Sequence, residues 1–130
     1  MKFLVDTHLL LWAAKGFQFL PSEAQKLMAS TDNELFFSVV SLWEIVIKNG
    51  LRRENFQVEP RLFRRGLLDS GYIEMAIFSE HVLSIASLPA IHKDPFDRLL
   101  LAQAFSEGIT LLTADNQLAK YSSCPVLFVQ

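Results

Sequence analysis

The sequence predicts an α/β fold: a mostly parallel sheet of four to five strands with helices on both faces. Two observations carry this expectation. Short continuous apolar runs, such as Phe3 to Val5 and Leu35 to Phe37, read as strands buried on both faces. Between the runs lie segments with helical spacing and with helix start and stop signals. Strands that alternate with helices need crossover connections, which produce parallel pairing and place helices over the sheet.

In chain order, Phe3 to Val5 forms a strand ending at Asp6, and Thr7 to Ala14 suits a helix closed by Gly16. A second helix starts near Pro21, a residue favoured in a first turn. Asp32 and Asn33 mark a turn before the strand Leu35 to Phe37. Ser38 or Ser41 caps the next helix, which runs through SLWEIVIKNG and stops at Asn49 and Gly50. RLFRRGLLDSG gives a helix from about 60 to 69, and Tyr72 to Met75 a short strand. Ser79 to Leu88 reads as a serine-capped helix broken by Pro89. In KDPFDRLLLAQAFSEG, Asp94 precedes Pro95 and Asp97 follows three residues after Asp94. That spacing is close to a capping box and opens a helix from 95 to about 107, ended by Gly108. Ile109 to Thr113 and Val126 to Val129 are the last strands, with a short helix between them.

The chain of 130 residues fits one domain spanning 1–130. Half of it is apolar, with eleven Phe and five each of Gly and Pro, which is a globular composition. The formal charge of −2 gives no overall attraction to a polyanion, so contact with nucleic acid must rest on local basic patches or bound cations. A single cysteine, Cys124, excludes an intrachain disulfide. The opening MKFLVDTHLLLW is interrupted by Asp6 and His8 and does not read as a signal peptide. No apolar stretch reaches the roughly 20 residues of a membrane span. A cytoplasmic protein with no membrane partner is expected.

Four acids fall where an open parallel sheet gathers its ligands, outside the carboxyl ends of its strands. Asp6 ends the first strand, Glu44 lies in the helix after the second, Asp97 lies in a helix first turn, and Asp115 follows the fourth strand. Each has an ordinary alternative. Asp94 and Asp97 can form a capping box, Asp115 can cap the short helix after it, and Glu44 can pair with Lys48 at i, i+4. On a helical wheel Glu44 lies at the border of the broad apolar face formed by Leu42, Trp43, Ile45, Val46 and Ile47. A carboxylate there loses solvation, which a cation offsets. Acids without His or Cys at ligand spacing suit Mg2+ or Mn2+ rather than structural Zn2+, and such ions serve phosphodiester hydrolysis by activating water and stabilising the leaving oxygen. His8 and His92 show no metal-ligand spacing and are read as structural or surface residues. Thr7, Thr113 and Asn116 adjoin these acids in sequence and are candidates to hydrogen-bond them or bound water.

Taken in order, VDTHLLLW, SLWEIVIK, DPFDRLLLAQA and LLTAD resemble the PIN-domain nucleases, especially the VapC-like toxins of toxin–antitoxin pairs. The resemblance covers nearly the whole chain and implies a three-layer sandwich with acids at one sheet edge. It matches the family's acids to Asp6, Glu44, Asp97 and Asp115, with Asp6, Asp97 and Asp115 on the metal. Asp94 stands beside Asp97 as a possible further acid, so the ligand in that block is open, with Asp97 favoured. The resemblance also implies Mg2+ or Mn2+, endonucleolytic cleavage of RNA, a homodimer, and a cognate antitoxin whose peptide inserts basic residues near the acids. The rival is a non-catalytic binding module of the same fold that acts through a partner protein. A nuclease acting on DNA flaps is a third alternative.

Six of the twelve basic residues, Lys48, Arg52, Arg53, Arg61, Arg64 and Arg65, lie between positions 48 and 65. They are the candidate RNA-binding residues, since Arg61, Arg64 and Arg65 share a helix face that can follow phosphates. A solvated helix face is the alternative. Trp12 and Trp43 have the shape to stack on bases but are expected in the core.

Overall fold

The computed structural model describes residues 1–51, 58–121 and 123–130. Its sheet holds five strands, β1 (Lys2–Val5), β2 (Glu34–Ser38), β3 (Ile73–Met75), β4 (Thr110–Thr113) and β5 (Val126–Phe128), in the order β3-β2-β1-β4-β5. Every neighbouring pair is parallel. The helices are α1 (Thr7–Lys15), α2 (Ser22–Ala29), α3 (Val39–Gly50), α4 (Pro60–Asp69), α5 (Ser79–Ser84) and α6 (Pro95–Glu107).

Alternation along β1 sorts the core into two halves. Phe3 and Val5 pack with Phe37, Leu112, Leu9, Leu10, Phe63 and Leu67, so α1, α2 and α4 cover one face. Leu4 points to the other face and packs with Leu111, Leu100 and Leu101 of α6. Each of these fully buried side chains contributes about 1.5–3 kcal/mol. Helices on both sides of a parallel sheet make the expected three-layer sandwich.

The chain enters at the centre of the sheet, moves outward through β2 and β3, then returns to the other side of β1 as β4. The switch of direction therefore falls between β1 and β4, where open α/β sheets leave a crevice at the strand carboxyl ends. Val5 pairs with Leu112, and the Asp6 N–H donates to the Leu112 carbonyl at 2.9 Å. The residues that end these two strands, Asp6 and Asp115, thus face one crevice.

Of the two serines offered as the α3 cap, Ser38 carries it, accepting from the Val40 N–H at 2.9 Å, and the helix ends at Gly50 as expected. The reading of α5 needs correction. Ser79 does not cap α5. Phe78 occupies that position, and its N–H donates to His81 Nδ1 at 3.1 Å. The segment up to Ser87 continues as a 3-10 turn (Ile85–Ser87) rather than as α-helix.

The apolar face expected of α3 is buried only in part, with Ile45 in the core and Leu42 packed against it. Val40, Ser41, Glu44 and Ile45 are buried, whereas Trp43 is 47% exposed and Val46 and Ile47 are exposed beside it. The helix lies between α4 and α6 and buries the stripe those neighbours touch. Trp43 packs edge-on against Phe96, with ring centroids 4.7 Å apart. Trp12 is likewise on the surface, 36% exposed and tilted against the His8 ring. Neither tryptophan is a core residue.

Helix α6 begins with Asp94, whose Oδ1 accepts from the Phe96 N–H at 2.8 Å and the Asp97 N–H at 3.4 Å, and Pro95 fits the first turn. It ends at Gly108, whose φ of 68° lies in the left-handed region that favours glycine. The reciprocal half of a capping box is missing, because the Asp94 N–H donates to His92 Nδ1. Asp94 alone carries the cap, and the Asp97 carboxylate is free for other contacts. Asp94→Ala should lower stability by about 1 kcal/mol, read as a lower melting temperature; an unchanged melting temperature would show that the cap is dispensable.

Candidate active site

Asp6 is buried at the junction of β1 and α1. Its Oδ1 accepts the His8 N–H at 2.9 Å, and its Oδ2 accepts the Thr113 hydroxyl at 2.5 Å. Thr113 Oγ1 in turn accepts the Asp115 N–H at 3.0 Å, so one hydroxyl ties together the ends of the two central strands. His8 lies half exposed beside Asp6. Its pKa is raised, first by its interaction with the Asp6 carboxylate, against the opposing effect of burial.

Glu44 is 1% exposed, deeper than a border position. Its Oε2 accepts from Lys48 Nζ at 2.5 Å, while its Oε1 is buried with no hydrogen-bond partner among the described residues. Leaving a buried carboxylate oxygen unpaired is costly. Asp97 is 5% exposed, and its pKa is pushed up to about 7. Burial is the main cause, followed by the nearby charges of Asp6, Asp94 and Glu44, which His92 partly counters.

Asp115 closes the group from the β4 side. Its Oδ1 accepts the Gln117 N–H at 2.8 Å and its Oδ2 accepts from His92 Nε2 at 3.0 Å. Burial pushes the Asp115 pKa up, but the hydrogen bonds from His92 and Gln117 outweigh it and hold the carboxyl below its usual range. The same His92 nitrogen lies 3.3 Å from Asp97 Oδ2. His92 Nε2 and one oxygen each from Asp97 and Asp115 lie within 4.8 Å of one another, a spacing that can hold a metal ion.

The structure places Asp97 beside His92 and Asp115 and close enough to Asp6, Asp94 and Glu44 to feel their charges, and among the described residues His92, Asp97 and Asp115 are the group with metal-site spacing, without Asp6 or Glu44. Of the three suggested supporting residues only Thr113 touches the acids. Thr7 Oγ1 pairs with Ser41 Oγ at 2.7 Å instead, and Asn116 is exposed without a hydrogen bond to any of the four. His92 was not expected here. It lies in the loop leading into the helix that carries Asp97, and that placement was the one signal available.

The basic stretch fares differently. Arg52 and Arg53 lie outside the described residues. Lys48 is committed to Glu44, and Arg64 is held by Glu74 at 2.6 and 3.3 Å. Arg61 and Arg65 are exposed.

An acidic crevice at the switch point of a five-stranded parallel sheet defines the class. The PIN domain model matches residues 3–123, and the chain belongs to the PIN domain family. The fold is similar to VapBC2 from Rickettsia felis, solved bound to a DNA fragment from its promoter, with a TM-score of 0.71 at 13% identity and full coverage of both chains. It is similar to VapBC-1 from nontypeable Haemophilus influenzae, with a TM-score of 0.65 at 14% identity over 98% of each chain. It also resembles VapBC-5 of Mycobacterium tuberculosis, with a TM-score of 0.60 at 19% identity over 99% of this chain and 98% of that one. The search of curated proteins returns no match. Among the described residues no helix is long and apolar enough to cross a membrane.

Proposed function

We propose that the protein is a divalent-metal-dependent endoribonuclease, the toxin of a toxin–antitoxin pair. Membership of a family whose domains are generally nucleases, together with a fold shared with VapBC complexes, supports this reading. The observation that carries it is the crevice itself. Beyond its Lys48 contact Glu44 keeps one buried oxygen unpaired, and burial with the neighbouring acids pushes the Asp97 pKa up to about 7, so the acids have room for a further positive charge. The donor set is mostly carboxylate oxygen, which fits Mg2+ or Mn2+.

Asp6, Asp97 and Asp115 would hold the ion, and Glu44 would complete the site or orient water. When bound, the ion supplies Lewis acidity toward water and phosphate. The chain's own contribution is placement. Thr113 fixes the Asp6 carboxylate, the Asp94 cap opens the helix that carries Asp97, and both carboxylates are buried. Trp43, exposed on α3, packs edge-on against the half-buried Phe96 that precedes Asp97, and the exposed Trp12 lies beside His8. They offer stacking surfaces for unpaired bases, which suits single-stranded RNA. With Lys48 and Arg64 engaged, these rings with Arg61 and Arg65 replace the continuous basic face expected from the sequence.

An apolar groove of about 550 Å3 between α1, α2 and α4, lined by Leu10, Ala13, Phe17, Met28, Phe63 and Leu67, would receive the antitoxin partner. The exposed Val46 and Ile47 on α3 would supply a face for a homodimer. A cytoplasmic location accords with this function. Purified protein should cleave RNA in Mg2+ or Mn2+ and stop in EDTA. Intact partner binding without metal binding or cleavage would overturn the proposal in favour of a binding module, and cleavage confined to DNA flaps would overturn its substrate.

A further inference from the structure

His92 is held through both ring and backbone. Its Nδ1 accepts the Asp94 backbone N–H at 3.1 Å, and its own backbone N–H donates at 2.8 Å to Oη of Tyr121, which is 2% exposed. A nitrogen that accepts a backbone N–H carries no proton, so the ring proton lies on Nε2. That N–H donates to Asp115 Oδ2 at 3.0 Å and has Asp97 Oδ2 at 3.3 Å. To ligate an ion through Nε2 the ring would have to move its proton to Nδ1, where it would collide with the Asp94 N–H.

We infer that His92 is a positioning residue of the metal site, whose Nε2–H hydrogen-bonds Asp115 and lies against Asp97 so that the two carboxylates stay side by side, and that it does not itself bind the ion. The inference rests on the reading of the acids as a metal site. Asp97 comes from α6 and Asp115 from the turn after β4, and like charges from separate elements separate unless something holds them. His92 supplies that hold, anchored to the α6 cap through Asp94 and to the segment after β4 through Tyr121. Donors of this kind orient carboxylate ligands, and their loss weakens metal binding.

Isosteric substitution separates a donor from a ligand. The amide nitrogen of Gln reaches roughly the place of Nε2 and donates there, whereas the Asn amide reaches only the place of Nδ1. Mn2+ affinity of metal-free protein, measured by electron paramagnetic resonance, should fall about ten- to a hundredfold in His92→Asn and His92→Ala. His92→Gln should stay within about threefold of the parent. Ring 15N shifts should show Nε2 still protonated when Mg2+ saturates the site. Equal losses in His92→Gln and His92→Ala, or loss of the Nε2 proton with Mg2+, would make His92 a ligand and overturn the inference. Unchanged affinity in all three variants would overturn it too. Asp97→Asn, measured alongside, separates the two ideas: if it keeps the parent's Mn2+ affinity, or the parent binds none, the acids are not a metal site and both fail. If Asp97→Asn loses the ion while the His92 variants keep it, the role of His92 alone fails.

Discussion

Replacing Asp97 by Asn is expected to slow metal-dependent RNA cleavage by about 1,000-fold, which corresponds to about 4 kcal/mol of transition-state stabilisation. The substitution keeps the shape of the side chain and removes the charge that an ion would neutralise. It should also make the metal-free protein more stable at pH 8, because the buried carboxylate no longer has to ionise beside Asp6, Asp94 and Glu44. Opposite effects on activity and stability mark a residue kept for chemistry rather than for folding. Cleavage assays on purified parent and variant, with thermal melts in EDTA, test both halves. Parent-like cleavage by a folded Asp97→Asn variant would remove Asp97 from the site.

The second large effect is on pH dependence. Asp97 has a folded pKa of about 7, above the roughly 3.9 of an unfolded aspartate. Between those values the folded chain binds more protons than the unfolded chain, so unfolding free energy falls as pH rises from about 4 to about 7. The loss is on the order of 4 kcal/mol across that window and levels off above it. His8, raised mainly by Asp6, acts in the same direction as pH passes its own folded pKa. Asp115, held low by His92 and Gln117 against its burial, stabilises above the unfolded aspartate value and loses that contribution only in acid, below this window. Saturating Mg2+ should cancel the decline, because the ion requires the ionised carboxylate, and metal affinity should rise about tenfold per pH unit below 7. Denaturant titrations at pH 5, 6, 7 and 8 with and without Mg2+ measure this. A metal-free stability that stays flat, or rises, from pH 5 to 7 would mean that Asp97 is not buried as a strained acid.

The Asp97 carboxylate was legible in sequence as one of a pair, and the structure shows why the pair divides. Asp94 spends its Oδ1 on the N–H groups that open α6, which leaves Asp97 to the crevice. Residues within one turn interact by fixed geometry, so spacing alone names the two candidates. It cannot say which carboxylate the helix end consumes. The tryptophans were misjudged for a related reason. Helix α3 carries a strongly apolar stripe and a weaker one, and hydrophobicity favours the first as core. The positions of α4 and α6 bury the second, with Ser41 and Glu44 in it. An exposed apolar stripe of Trp43, Val46 and Ile47 on α3 is the opposite of the expected pattern.

By itself the sequence determined the alternation of strand and helix, the parallel sheet, and the four acids at strand ends and helix starts. These depend on local periodicity and on capping residues, which act over a few positions. Only the tertiary structure decided that β4 returns beside β1 and so places Asp6 next to Thr113 across 107 residues of chain. It alone brought His92 between Asp97 and Asp115, withdrew Arg64 into an ion pair with Glu74, and left Asn116 outside, whereas the Glu44–Lys48 pair was already legible in the i, i+4 spacing. Such contacts are set by where whole elements pack, and packing depends on which faces meet rather than on the spacing of residues within any one of them.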